Sequence, residues 1–110
     1  MTPTSARASV AATIRAHGCT VTTPAGAARA IVDTDPASIM RTHGGLLSDG
    51  ESPGDMALLY FPASGAGSGI RGGDRVTLPD GRAAVVKARR DWRFSNVVVG
   101  VVALASVNLS

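Results

Sequence analysis

Val97 to Ala105 reads VVVGVVALA, and this run constrains the fold more than any other part of the sequence. β-Branched residues dominate it and no charge interrupts it, yet it is far shorter than the roughly 20 apolar residues of a membrane-crossing helix. It is therefore a β-strand. Apolar residues occupy both parities of the strand, so both of its faces need covering. A chain of 110 residues builds one modest core, which covers one face. The other face must be covered by a neighbouring molecule or by a helix of the same chain.

The preceding sequence is organised around Gly and Pro turns. Arg75 to Leu78 alternates polar and apolar residues, Pro79-Asp80-Gly81 turns the chain, and Arg82 to Arg90 returns as a second strand. That return strand is expected to place Ala84, Val86 and Ala88 on one face and Val85, Lys87 and Arg89 on the other, with Asp91 to Asn96 as the connection into Val97. Upstream, Thr20 to Thr23, Pro24-Ala25-Gly26 and Ala27 to Asp33 predict a hairpin, and Met56 to Phe61 (MALLYF) a further strand closed by Pro62. Ser5 to His17 is alanine-rich, carries Val10 and Ile14 one turn apart and is followed by Gly18, which predicts the only substantial helix. Two glycine-rich stretches, 41–55 and 62–73, are expected as long loops, the second of them flexible. The fold class that results is mainly β: one domain over 1–110, a small SH3-like barrel or sandwich spanning 19–105 with one short N-terminal helix over 5–17.

Composition limits the chemistry. The apolar fraction is 45% and the charged fraction 17%, which is enough apolar material to offset the entropy of folding. Of the 11 cationic residues ten are arginine, and the net charge is +3. Arginine suits bidentate contact with phosphate or carboxylate, so nucleic acid or an acidic protein surface are the partners such a charge favours. Cys19 is the single cysteine, which excludes an intrachain disulfide and fits a small buried apolar residue. No stretch resembles a signal-peptide core, so synthesis in the cytoplasm is expected and the Asn108-Leu109-Ser110 sequon is accidental.

Several chemical motifs fail on context. Gly67, Gly69 and Gly72 match the dinucleotide fingerprint, but a strand rather than a helix follows, which removes the amide dipoles that would hold a pyrophosphate. His17 and His43 stand apart from any Cys, Asp or Glu at ligand spacing, so no metal is expected. No serine sits in a nucleophile elbow, and Asp49, Glu51 and Asp55 share a glycine-rich loop that lacks the rigidity catalysis requires. No cofactor and no enzymatic activity are expected.

The order of elements carries a resemblance. A short N-terminal helix, the AIVDTDP hairpin, a glycine-rich loop, MALLYF, the hairpin GGDRVTLPDGR, a strand ending in RRDWRF and a closing apolar strand together resemble the head-to-tail connector proteins of tailed bacteriophages, the stopper, head-closure or head-tail joining proteins. The resemblance spans most of residues 5–105. It implies a β-barrel subunit of a homo-oligomeric ring in the virion neck, set between portal or adaptor proteins above and the tail-terminator protein below, closing the DNA-filled head. It implies no membrane partner. On this resemblance the loop Arg41, Thr42, His43, Gly44, Gly45, Leu46, Leu47, Ser48, Asp49, Gly50 and Glu51 reaches the channel or a neighbour. The outward arginines Arg89, Arg90 and Arg93 meet acidic partners or packaged DNA. Trp92 and Phe94 suit interface anchors, and Val99 and Val101 the subunit contact.

A second function class is a monomeric SH3-like nucleic-acid-binding module, which would use Arg75, Arg82, Lys87, Arg89 and Arg90 with Trp92 or Phe94 for stacking. It differs from the first in requiring the isolated protein to bind nucleic acid with a steep salt dependence.

Overall fold

A computed structural model describes residues 3–43 and 56–107 of the chain. Its strands are β1 (Cys19–Thr23), β2 (Gly26–Asp33), β3 (Met56–Pro62), β4 (Arg75–Thr77), β5 (Ala83–Phe94) and β6 (Val97–Val107), and its α-helices are α1 (Pro3–His17) and α2 (Pro36–His43). The six strands close into an antiparallel barrel in the order β1-β2-β3-β6-β5-β4, the expected mainly β class. Closure rests on a single pair, Thr22 with Thr77, while β3–β6 and β5–β6 form long ladders.

The pleat of β3 shows why these residues make a barrel with two apolar layers. Ala57, Leu59 and Phe61 point into the barrel, where they join Val21, Val76, Val86, Val101 and Ala103. Met56 and Leu58 point outward and meet Leu104, Val102 and Ile39 of α2. The interior and exterior of β6 alternate in the same way, Val101, Ala103 and Ala105 inward and Val102 and Leu104 outward. Burying one such Val, Leu or Ile side chain contributes roughly 1.5–3 kcal/mol.

The outer face of β6 is covered by the chain itself. Helix α1 packs across β6, β3 and β2, with Ala6 and Ile14 buried. It ends where β2 blocks it: a Cβ on Gly18 would run into the carbonyl oxygens of Ile14 and Ala30. The guanidinium of Arg29 on β2 donates to the backbone oxygens of Arg15 at 3.1 Å and Gly18 at 2.5 Å, a cation on the electronegative end of the helix. Val99 and Val101, expected at a subunit contact, are 2% and 1% exposed within their own chain, Val101 because it faces the barrel interior rather than the outer face.

Further expectations are corrected. Helix α2 was unforeseen, and it takes Arg41, Thr42 and His43 out of the expected loop. Asp35 starts it, its carboxylate accepting the Ala37 N–H at 3.1 Å ahead of which Pro36 occupies the first helical position. The rest of that loop, Gly44 to Asp55, lies outside the described residues. The second glycine-rich stretch, expected as a flexible loop, joins β3 to β4 without a further strand or α-helix. It forms a 3-10 turn, Ala66–Gly69, in which Gly67 lies so close to the Phe61 ring that no Cβ fits, and Ile70 behind it is buried in the barrel.

Strand β5 differs from its expected form at both ends of the RRDWRF segment. A bulge leaves Lys87 without a partner in β6, so Val86 pairs with Ala105 but Ala88 with Leu104. Ala88 therefore turns to the outer face, away from Ala84 and Val86, because one inserted residue inverts the parity of all that follow. Asp91 to Asn96 is no connecting loop: β5 continues to Phe94, and the turn is Ser95-Asn96 alone. Both turn residues have positive φ, 48° and 65°, the backbone of a tight two-residue hairpin turn whose twist matches its strands. Cys19, expected as a buried residue, is exposed at the start of β1.

Candidate interaction surface on the β5–β6 hairpin

The turn end of β5 carries two different faces. Alternation along the strand places Arg90, Trp92 and Phe94 on one side and Arg89, Asp91 and Arg93 on the other. On the second side Asp91 binds both arginines, Arg89 at 3.0 Å and Arg93 at 3.4 Å. Arg89 also donates to the Ser68 carbonyl at 3.0 Å, which ties the strand to the 3-10 turn. Ion pairs this exposed add about 0–1 kcal/mol each. Their consequence is directional, since they hold the charged row in place and leave Arg90 as the cation beside the aromatic row.

On the first side Trp92 is anchored and Phe94 is not. Trp92 pairs with Gly100 across the ladder, and a Cβ at Gly100 would stand 3.0 Å from Trp92 Cε3 and 3.0 Å from the Phe61 oxygen. The absent side chain is thus what lets the indole lie down on β6. Tyr60 meets it edge-to-face, centroids 6.0 Å apart at 70°. Even so, Trp92 remains 39% and Phe94 40% exposed, the only large hydrophobic residues so open among those described. The β3 ladder ends with Pro62 opposite Gly100, so from Gly100 to the turn the two strands pair only with each other.

Trp92 forms a ridge between two clefts. One, of about 340 Å³, runs under α1 and is lined by Val10, Thr13, Ile14, Ile31, Tyr60 and Trp92. The other, of about 260 Å³, lies toward Arg90, Asp91, Arg93 and Val102. The Tyr60 hydroxyl sits in an environment that disfavours its anion: burial raises its pKa above the ordinary 10.0, and the Asp33 carboxylate raises it further.

The structure brings together some of the residues singled out in the sequence and separates others. Arg90, Trp92 and Phe94 form one row, and Arg89 and Arg93 flank it from the opposite face. Arg75 on β4 and Arg82, which is paired with Asp80 at 2.6 Å, lie at the far end of β5. With a strand rise of about 3.3 Å, the length of β5 separates them from Phe94 by roughly 35 Å. Arg82 also holds the Asp80 carboxyl below its ordinary pKa, first through its backbone N–H and then through its side chain. Tyr60, Gly100 and Ile31 belong to the surface but were missed. The signal for two of them was present, since Tyr60 has outward parity in MALLYF and Gly100 interrupts a run of valines. Set against protein-family models, curated proteins and solved structures, the chain finds no match in any of the three.

Proposed function

We propose that this chain is a structural subunit of a tailed-phage neck, a barrel that joins a homo-oligomeric ring between portal or adaptor proteins and the tail-terminator protein. The observation that carries the reading is the Arg90-Trp92-Phe94 row on a two-residue-turn hairpin that outruns the rest of the barrel. Exposed aromatics beside an arginine on a rigid element are the composition of binding hot spots, where truncation of one residue can cost 2 kcal/mol or more of affinity. The neck assignment draws on the order of sequence elements that resembles the connector proteins, together with the barrel. The apolar strand β6 no longer supports it, because α1 and α2 cover its outer face.

The same row favours a second reading, since an arginine and two aromatics in line also make a platform for stacking bases. One pair of measurements separates the two. A neck subunit copurifies with portal and tail-terminator proteins, and the isolated chain binds neither single-stranded nor duplex DNA tightly. A nucleic-acid module binds as the isolated chain, with an affinity that falls steeply as salt rises and is lost on Trp92→Ala. That outcome, without copurification, overturns the neck reading.

A further inference from the structure

Strand β5 has a neighbour along nearly its whole length on one side and along only part of it on the other. β6 pairs with it from Ala84 to Phe94, whereas β4 pairs with it only at Ala83, Ala84 and Val85. The last backbone contacts on the β4 side belong to Val86, which donates its N–H to the Asp74 oxygen at 2.8 Å and accepts the Gly73 N–H at 2.7 Å. From Ala88 to Phe94, roughly 20 Å of strand, no strand among the described residues pairs with that edge. Val86 thus turns its backbone groups away from β6, and this direction alternates along a strand. With the one extra residue at Lys87, the groups turned to the open side beyond it are those of Arg89, Asp91 and Arg93.

An open edge presents N–H donors and C=O acceptors in alternation, the template for another strand. Charge decides which strand. Lys87, Arg89, Arg90 and Arg93 stand on this segment against the carboxylate of Asp91, which Arg89 and Arg93 share. Arg71 adds a further cation, lining with Arg89, Ser68, Gly69 and Ile70 a cleft of about 280 Å³. Two copies brought edge to edge would set these cations against each other, which disfavours self-pairing. Phosphates suit the cations but bring acceptors only, and so leave the edge's C=O groups unmatched. An extended peptide with acidic side chains answers both the backbone and the charge.

We propose that the edge of β5 from Ala88 to Phe94 takes an extended acidic segment of a partner protein as an added strand, its carboxylates meeting Arg90 on one face and Arg89 and Arg93 on the other. This rests on the reading of the hairpin as the element through which the protein assembles, and it names the chemistry of the partner.

Peptide titration of the full chain, followed by amide NMR and hydrogen exchange, tests the edge. The probes are a short peptide alternating Glu and Thr, the same peptide N-methylated throughout, its Lys-Thr counterpart and an oligothymidylate. The expected result is that the Glu-Thr peptide alone shifts the Arg89, Asp91 and Arg93 amides and slows their exchange several-fold. Equal effects from the N-methylated or the Lys-Thr peptide mean attraction without a specific added strand, and equal effects from the oligothymidylate mean a phosphate-binding surface. Either overturns the proposal, as does the absence of any effect. Amides already protected in the isolated chain mean that the chain fills the edge itself, which also overturns it. Lys87→Glu combined with Arg90→Glu, both at exposed positions, should weaken the peptide several-fold at unchanged urea stability; undiminished binding contradicts the role of charge. If the peptide binds as expected while copurification with neck partners never occurs, the edge site stands and the neck reading falls. If copurification occurs and no peptide effect is seen, the neck reading stands and the edge site falls.

Discussion

The two ends of the β5–β6 ladder are built from the same two strands and have opposite fates. Toward the C-terminal end of β6, Val102 and Leu104 are closed over by helical residues and are 4% and 0% exposed. Toward the turn, Trp92 and Phe94 stand open, and Val97 and Val98 are only half-buried. Composition does not make the difference, since both ends are apolar. Reach does: α1 and α2 cover the sheet up to about the line of Tyr60 and Trp92, and β3 stops at Pro62. A strand apolar on both faces is therefore no sign of assembly in this fold. The proposed assembly rests instead on the apolar surface that the helices fail to reach.

The largest effect should come from the covered end. Leu104→Ala removes a fully buried side chain from the cluster with Ile39, Met56, Leu58 and Val102. It should cost about 2–5 kcal/mol in urea unfolding, a large part of the 5–15 kcal/mol typical of a domain. A cost near zero would show that the outer face is not closed within the chain, and the contrast between the two ends would collapse.

A smaller effect tests whether 62–73 is structure. Gly67→Ala places a Cβ against the Phe61 ring and should destabilise by about 1–3 kcal/mol, the usual cost of overpacking a core. A mobile loop would absorb the methyl without loss.

Smaller again is a pH effect at the boundary between the two ends. Because the folded state raises the Tyr60 pKa above 10.0, the folded protein holds that proton longer than the unfolded chain. Stability linked to Tyr60 is complete below pH 10.0, falls as pH rises from there through the folded-state value, and then levels off. Melting temperature followed from neutral to alkaline pH should decline less steeply in Tyr60→Phe than in the unaltered protein. Identical slopes would place Tyr60 in solvent rather than beneath Trp92.

Much of the barrel was legible because its signals are local. Pro24-Ala25 and Pro79-Asp80-Gly81 are turn chemistry, and the alternation in MALLYF survives into the structure unchanged. What was not legible depends on contacts between distant segments. Nothing near Lys87 announces that it is the bulged residue, yet that one insertion sends Ala88 to the opposite face from Val86. Helix α2 is short and opens on Asp-Pro, a pair that reads equally well as a turn; the burial of Ile39 against Leu58 decides it. In the candidate surface, Trp92 and Phe94 stood out as aromatics among arginines. That Val101 fills the barrel interior could not be seen without knowing which face of β6 turns inward.

The central claim is that assembly runs through the hairpin tip and not through the apolar strand. It is tested most directly by Phe94→Ser, measured at once for urea stability and for copurification with portal and tail-terminator proteins. Phe94 is exposed and its turn is held by Ser95 and Asn96, so the account predicts unfolding unchanged within about 0.5 kcal/mol and copurification lost. Copurification retained at full stability would contradict it.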